Sequence, residues 1–493
     1  MLLSELLTYL SEVKVRNFSE CEVTDVEEDS SKISKGAIFV ARRGVNFDGN
    51  AFVSEAFSRG ACAAVTENET LNSASKTVII SKNASKTMAE IANALYGNVL
   101  LDMTVIGITG TKGKTSTLKI LSECILSKGA SLVTLGTLGI EIHGKIHEYY
   151  SSENTTPSSP FIYRILHRAY SIGCRFAIIE VSSQALSDFR VYGIPFDVCI
   201  FTNISRDHIG VNEHSDFDSY VRAKRSLFED YGACCAIVNA NDRNWSSIVK
   251  GCPRVIKVGV GCEHEYTHIH DTVYGCEFLL DGHRFLLPVG GEFNGVNAAL
   301  AIVAAAFVLK CGIGQFFSAV SGVVIPGRYE VYMLRGIRIV IDFAHNARSV
   351  SAVSASVRKH TEGKLILVFG SVGGRCHSRR SELARAAEKF ADLSVITSDN
   401  PGNESGEDIA REIFSNFTDK NKATVIPDRE KAIIYAVAHA KAGDSILLLG
   451  KGQENYQLIG KEKIPFSERD IIMKLGAFRT TVSYSGDNSE IIN

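Results

Sequence analysis

The run Gly107-Ile-Thr-Gly-Thr-Lys-Gly-Lys-Thr-Ser116 constrains this chain more than any other feature. It follows an apolar stretch, Thr104-Val-Ile-Gly-Ile-Thr109, that reads as a buried strand. It precedes a segment with helical periodicity from Thr115 to about Ser127. Glycines between a strand and a helix let backbone N–H groups turn inward around phosphate oxygens, and the helix N-terminus adds its dipole. Lys114 is placed to reach terminal phosphates, and the Thr115 hydroxyl suits Mg²⁺. Gly110, Thr111, Lys112, Gly113, Lys114, Thr115 and Ser116 thus read as a shortened phosphate loop, with Ile108 where the longer spelling wants glycine. The bland reading is a glycine-rich turn with a solvated lysine; the flanking strand and helix favour ATP. Kinases, ligases, motors and switches all use such a loop, so the reaction must be read elsewhere.

The chain has 493 residues, which at roughly 150 per domain suggests about three domains. A composition 45% apolar and 22% charged excludes a disordered or fibrous protein. Lys plus Arg number 53 against 55 Asp plus Glu, so no global field draws in nucleic acid or anionic membrane. Twelve cysteines include no Cys-x-x-Cys pair, which removes support for a zinc ribbon. The N-terminal segment carries Glu5 and Glu12 and does not read as a signal peptide. The apolar run Ala298–Leu309 falls short of the about 20 residues that span a bilayer. A reduced, cytoplasmic chain is expected, acting without a membrane or nucleic acid.

Strand candidates at Ala37–Ala41, Ala61–Val65 and Thr77–Ser81 precede the loop, with a helix over Ala84–Tyr96. Beyond it, strand patterns at Ser131–Leu135, Arg175–Val181 and Asp197–Thr202 interleave with helices near 160–170 and 217–228. That rhythm predicts an α/β fold with a central doubly wound parallel sheet of the phosphate-loop type. Residues 266–288 alternate like an antiparallel patch. After Ile325-Pro-Gly-Arg-Tyr-Glu330 the rhythm restarts with strands at 337–343, 364–370, 393–397 and 445–450, a C-terminal Rossmann-like domain. Boundaries near residues 100 and 326 divide the chain into three domains, 1–100, 101–326 and 327–493.

Three residues after the loop carry chemistry. Glu180 closes the strand Ala177-Ile-Ile-Glu180, where a carboxylate faces the ligand crevice of a parallel sheet. It holds Mg²⁺ there or pairs with a surface base. His208 ends Phe201-Thr-Asn-Ile-Ser-Arg-Asp-His208 and is either a metal ligand or a structural imidazole. Lys224 shares a helix face with Tyr220 and Phe228. It either snorkels to solvent or is modified to lose its positive charge.

These motifs together resemble the Mur ligase family and, within it, the UDP-N-acetylmuramoyl-tripeptide synthetases. The resemblance runs over nearly the whole chain. It rests on segments 29–44, 47–52, the phosphate loop, Asn154–Ser159, Glu180–Val191, Phe201–His208, Ala223–Phe228 and Gly291–Ala301. In the last domain it rests on Ile325–Glu330, Ile341–Asn346, Phe369–Arg375, Thr397–Pro401 and Gly450–Gln457.

The resemblance implies an ADP-forming acid–amino-acid ligase of peptidoglycan precursor synthesis, working through an acyl phosphate with ATP and two Mg²⁺ ions. A carboxylate is a poor acyl donor, and phosphorylation gives it a leaving group. Two anions must also meet, which calls for metal and lysines. Lys114, Glu180, His208 and Lys224 are the implied catalytic set. Thr115, Glu180 and His208 would bind metal, and so would Lys224 as a CO₂-derived carbamate, which a partly apolar setting favours by keeping the amine neutral. Asn294, Asn297, Arg328, Asp342 and His345 match positions around ATP. Ser30, Gly44, Asn46, Asp48, Thr155, Thr156, Ser182 and Arg190 match positions for the UDP-MurNAc-dipeptide. Arg375, Asp399, Asn400, Gly402, Gly450 and Glu454 match the amino-acid site. A monomer acting on small molecules is implied.

Three departures from the family pattern bear on function. Ser31 stands where arginine is usual, so one nucleotide contact is expected to be missing. Lys112 stands where asparagine is usual and either adds a cation beside the triphosphate or points to solvent. Gly402 stands where diaminopimelate-adding enzymes have an arginine that grips the second carboxylate, which glycine cannot do. L-lysine is therefore the expected third amino acid, with meso-diaminopimelate the alternative. A folylpolyglutamate-synthase-like ligase fits less well, because about 100 residues precede the loop. An idle Mur-like binding subunit would carry a cysteine ribbon that is absent here. A switch or motor would not need Glu180, His208 and Lys224.

Overall fold

The structure, a computed structural model, describes residues 1–44, 47–71, 73, 75–148, 154–205, 214–272, 275–374, 377–479, 481–485 and 488–492. Within these, the chain packs as two compact units. One is Met1–His264 with Leu300–Cys311; the other is Glu265–Ala299 with Gly312–Asn493.

In the first unit, strands Val13–Arg16, Thr77–Ser81, Ala63–Thr66, Ala37–Ala41 and Asp25–Glu27 lie side by side in that order. All neighbours are parallel except the first pair. A second sheet runs Val255–Gly259, Ala236–Asn239, Val198–Phe201, Thr104–Thr109, Phe176–Glu180 and Leu132–Gly136, all parallel. Its strands are buried on both faces, as a run like Val105-Ile-Gly-Ile requires. The expectation of a purely parallel sheet stops at Leu132–Gly136. There the chain turns back through Gly139–Ile142 and Lys145–Glu148 as an antiparallel edge. The left-handed Gly139, φ 97°, allows so tight a reversal.

Helix Ala84–Tyr96 has the bounds its periodicity predicts. Asn83 caps it, accepting from the Lys86 N–H at 2.9 Å. Its apolar face (Met88, Ile91, Ala92) joins Val26, Ile38 and Ile79 of the first sheet. The same core continues through Val105, Ile162 and Ile179 of the second sheet and its flanking helix. Helix Phe217–Glu229, which carries Lys224, starts on a reciprocal capping box between Asp216 and Ser219.

In the second unit, His264–Asp271, Cys276–Leu280 and His283–Leu287 form the expected antiparallel patch. A further sheet is ordered Ala423–Val425, Leu393–Ile396, Leu365–Phe369, Ser445–Leu449, Ile337–Asp342, Glu330–Leu334 and Phe478–Arg479. The first five are parallel and the last two antiparallel. The run Ala298–Leu309 proves to be part of a longer helix, Glu292–Leu309, whose residues from Leu300 on belong to the first unit. By length and composition alone that helix could cross a membrane, and 61% of it is buried.

Arg429 is the largest fully buried side chain of this unit. It donates to Glu468 Oε1 at 2.8 and 3.0 Å, to the Leu449 carbonyl at 2.6 Å and to the Ser398 carbonyl at 3.2 Å. Burial pushes Glu468 above the ordinary carboxylate range, opposed by Arg429. Arg429→Met would strand that carboxylate without its partner. Urea unfolding should show a loss of about 3–5 kcal/mol.

Candidate active site

The phosphate loop is held in shape by its own fold. Gly113, φ 89°, caps helix Lys114–Leu126. Gly110, φ 151°, lies so close to strand end Thr202 that a Cβ there would sit 1.9 Å from the threonine Oγ1. The segment Thr202–Asn203 stitches the loop. Thr202 Oγ1 donates to the Lys112 carbonyl at 2.7 Å, and the Lys112 N–H donates to Asn203 Oδ1 at 3.0 Å. The Asn203 Nδ2 returns to the Lys112 carbonyl at 2.9 Å. The Thr111 N–H donates to the Asn203 carbonyl at 2.8 Å, and the Thr111 and Tyr220 hydroxyls lie 2.9 Å apart.

Two lysines converge on one carbonyl. Lys114 Nζ donates to the Gly110 oxygen at 2.9 Å and Lys224 Nζ to the same oxygen at 3.0 Å. Lys224 is only 1% exposed, with Nζ 4.8 Å from the Tyr220 ring centre. Snorkelling is thereby set aside in favour of a buried amine at the loop.

Glu180 sits at the adjacent strand end. Thr115 Oγ1 donates to its Oε2 at 3.1 Å, the Thr137 N–H to its Oε1 at 2.9 Å and the Thr137 hydroxyl to Oε2 at 3.2 Å. The bare Gly136 makes room for it, since a Cβ there would lie 2.4 Å from Oε1. Among the described residues no three His, Cys, Asp or Glu side chains cluster as a metal site. A hard cation here would be shared between Thr115, Glu180 and phosphate oxygens, as Mg²⁺ prefers few protein ligands.

Behind Glu180, Thr156 Oγ1 donates to the Glu180 carbonyl at 2.8 Å and accepts from the Ser182 N–H at 3.0 Å. Arg190 donates to the Thr156 carbonyl at 2.9 Å and pairs with Asp188 at 2.7 Å. Thr155 lies 3.5 Å from the Thr137 hydroxyl. On the first sheet, Asp29 caps the turn Ser30–Lys32 and Ser30 reaches Glu55 at 3.3 Å. Ser31, the departure from arginine, turns onto Asp29 at 2.6 Å. The Gly44 N–H meets the Phe47 carbonyl and Asp48 caps Asn50. Asn46, His208 and Arg375 lie outside the described residues.

The second unit gathers two further groups. Around Ile325–Asn346, burial pushes Asp342 above the ordinary carboxylate range, opposed by Arg328 and by the Tyr329 and Ala344 N–H groups. Arg328 stacks on Phe343, with which His345 Nδ1 also pairs through the carbonyl at 2.9 Å. Asn294 and Asn297 are buried on helix Glu292–Leu309, and Asn294 donates to the Gly290 carbonyl at 2.8 Å.

The other group holds Asp399, Asn400, Gly450 and Glu454. Its centre is Lys451, fully buried, which donates to Glu454 at 2.6 Å and to Asn400 at 2.8 Å and lies 3.9 Å from Asp399. Gly450, φ 108°, leaves space for Asp399. Gly402, φ 58°, bonds through its N–H to the Leu458 carbonyl and through its own carbonyl to Gly460. A Cβ at 402 would meet nothing within 4 Å.

Sequence reasoning missed Asn203, Thr137 and Lys451. Asn203 lay inside a quoted motif, whereas Thr137 gave no signal. Lys451 likewise lay inside a quoted motif, Gly450–Gln457, but was not singled out there.

Residues 22–103 match the description "Mur ligase family, catalytic domain", 108–305 "Mur ligase middle domain" and 327–452 "Mur ligase, glutamate ligase domain". A UDP-N-acetylmuramoyl-L-alanyl-D-glutamate–2,6-diaminopimelate ligase from Aquifex aeolicus is 34% identical over 92% of this chain and 93% of its own. A solved structure of a ligase of the same name superposes with TM-score 0.65 at 25% identity, over 92% of this chain and 94% of that one. A MurF ligase from Thermotoga maritima in complex with ADP shares the fold, with TM-score 0.61 at 20% identity, over 87% and 94%. The preference for L-lysine drawn from Gly402 finds no support in these relatives, whose names specify 2,6-diaminopimelate.

Lys114→Ala removes a cation from the loop mouth while leaving the Thr202–Asn203 stitching intact. ATP-dependent phosphate release should fall by a factor of at least about 10²; near-normal release would sink the loop assignment.

Proposed function

The chain belongs to the Mur ligase family, and on that premise we propose that this ATP-dependent ligase joins a diamino acid, meso-diaminopimelate, to UDP-MurNAc-L-Ala-D-Glu in cytoplasmic synthesis of the peptidoglycan precursor. The observation that carries the reading is the convergence of Lys114, Lys224, Thr115 and Glu180 on one end of one parallel sheet. The chemistry needs such a set. A substrate carboxylate attacks the γ-phosphorus of ATP and ADP leaves; an amine then attacks the acyl carbon of the acyl phosphate, forming the C–N bond as the C–O bond to phosphate breaks, and phosphate and a proton are released. The first step brings two anions together, and preorganised positive groups remove that repulsion without reorganising.

Each residue has a role in this reading. The loop N–H groups and Lys114 hold the phosphates in line. Thr115 and Glu180 hold Mg²⁺, which when bound neutralises charge developing on the transferred group. Thr137 keeps both Glu180 oxygens oriented, so the carboxylate needs no rearrangement. Lys224, buried on the Gly110 carbonyl, would be the residue that carries the carbamate. His208 completes this set by resemblance. Asn294, Asn297, Arg328, Asp342 and His345 take the rest of ATP.

Residues 1–100 form the uridine-nucleotide module around Ser30, Gly44, Asn46 and Asp48. Residues 101–326 form the ATP module, where Thr155, Thr156, Ser182 and Arg190 hold the muramoyl dipeptide. Residues 327–493 take the amino acid through Arg375, Asp399, Asn400 and Glu454. Lys451 fixes Glu454 and Asn400 as a pair, which suits recognition of an amine.

The test is phosphate release with UDP-MurNAc-L-Ala-D-Glu, ATP and single amino acids at equal concentration, with product mass confirmed. Turnover with meso-diaminopimelate and much less with lysine is expected; silence with every amino acid would overturn the reading. Gly402→Arg, entering open space at a left-handed position, should raise the preference for meso-diaminopimelate over lysine by about tenfold. Lys224→Ala should be nearly inactive and regain part of its rate with added short carboxylic acids, which replace the carbamate. A variant that acetate and formate leave unmoved would remove the carbamate from this account.

A further inference from the structure

Arg164 has no part in the roles above, yet it spans two of the sites. It lies on helix Ser159–Ser171, which starts just after Thr155 and Thr156. Its guanidinium donates to Asp25 Oδ2 at 2.9 Å and to Glu27 Oε1 at 2.5 Å, two carboxylates on one face of strand Asp25–Glu27. Its Nε donates back to the Pro160 carbonyl at 3.2 Å, at the first turn of its own helix. The Tyr96 hydroxyl completes the cluster on Asp25 Oδ1 at 2.9 Å. Strand Asp25–Glu27 leads straight into Asp29 and Ser30. Glu28 between them pairs with Arg42 at 2.7 Å, on the segment that continues into Gly44.

The side chain therefore ties the start of the Thr155–Thr156 helix to the root of the Ser30 turn. A single guanidinium does this with a planar fork that meets two carboxylates, which a lysine cannot reproduce. The cluster is partly shielded, Glu27 being 8% exposed while the Arg164 side chain keeps 32%, and its two-carboxylate fork holds it more tightly than a single surface ion pair.

We propose that Arg164 is a positioning residue that sets the spacing between the uridine-nucleotide subsite and the muramoyl-dipeptide subsite. This rests on the substrate assigned above. A long substrate that bridges two subsites binds each end at high effective concentration only while their separation matches its own length. Holding that distance rigid converts two weak contacts into one strong one. Loosening it weakens the whole substrate and leaves each half unaffected.

The experiment compares the full chain with Arg164→Met, using calorimetric affinities for UDP alone and for UDP-MurNAc-L-Ala-D-Glu, and KM for ATP. Arg164→Met should bind UDP within twofold of wild type, bind the whole substrate about tenfold more weakly, and keep its KM for ATP. Equal weakening of UDP and of the whole substrate would overturn the proposal, because the nucleotide site itself would then have collapsed. Unchanged binding of both would overturn it equally. Should the methionine variant fail to fold, Arg164→Lys and Glu27→Gln break the fork with less disturbance and are read the same way. A wild-type chain that neither binds nor turns over UDP-MurNAc-L-Ala-D-Glu would count against the substrate assignment instead.

Discussion

The carbonyl of Gly110 is the point on which the candidate site depends. It accepts from Lys114 and Lys224, which arrive from two different helices. Because Lys114 and Lys224 are both hydrogen-bonded to the loop itself, they brace its geometry from two helices. Asn203 and Thr202 complete the frame by occupying the loop's outward-facing backbone groups. What faces an anion is the N-terminus of helix Lys114–Leu126 with Lys114 beside it. Such a site does not reorganise as charge develops, which is where electrostatic catalysis draws its strength. Glu180 follows the same logic with opposite sign, its carboxylate aimed by Thr115 and Thr137.

The second unit relies on buried charge. Arg429 binds the carbonyls of Ser398 and Leu449, the residues immediately before Asp399 and Gly450. The two loops proposed to take the amino acid are thus rooted on one guanidinium, and Lys451 then links their side chains. Each of these charges is costly to bury alone and is tolerated because hydrogen bonds take up nearly all its donors. Arg164 in the first unit works on the same principle, two carboxylates answering one fork.

Much of this was legible in the chain. Helix Ala84–Tyr96 and strand Thr104–Thr109 have the bounds that periodicity and capping predict, because local propensity and burial agree there. Short edge strands such as Asp25–Glu27 and Ala423–Val425 were missed, since three residues carry too little pattern to stand out. The antiparallel edge after Gly136 was missed because alternation over four residues resembles a loop. The L-lysine reading of Gly402 finds no support in relatives whose names specify 2,6-diaminopimelate, the stated alternative.

The sequence by itself determined the family, the phosphate loop and the identity of the charged groups, because each depends on residue types at fixed short spacings. Glycines at 110 and 113, a lysine at 114 and a carboxylate at a strand end carry their chemistry wherever the chain places them. Tertiary structure alone decided which of them meet. That Lys224 reaches Gly110 across the fold, that Thr137 orients Glu180 and that Arg164 joins Asp25 to Glu27 are contacts between residues far apart in the chain. Such contacts arise when strands pack side by side, and no local pattern encodes which distant side chain will stand opposite.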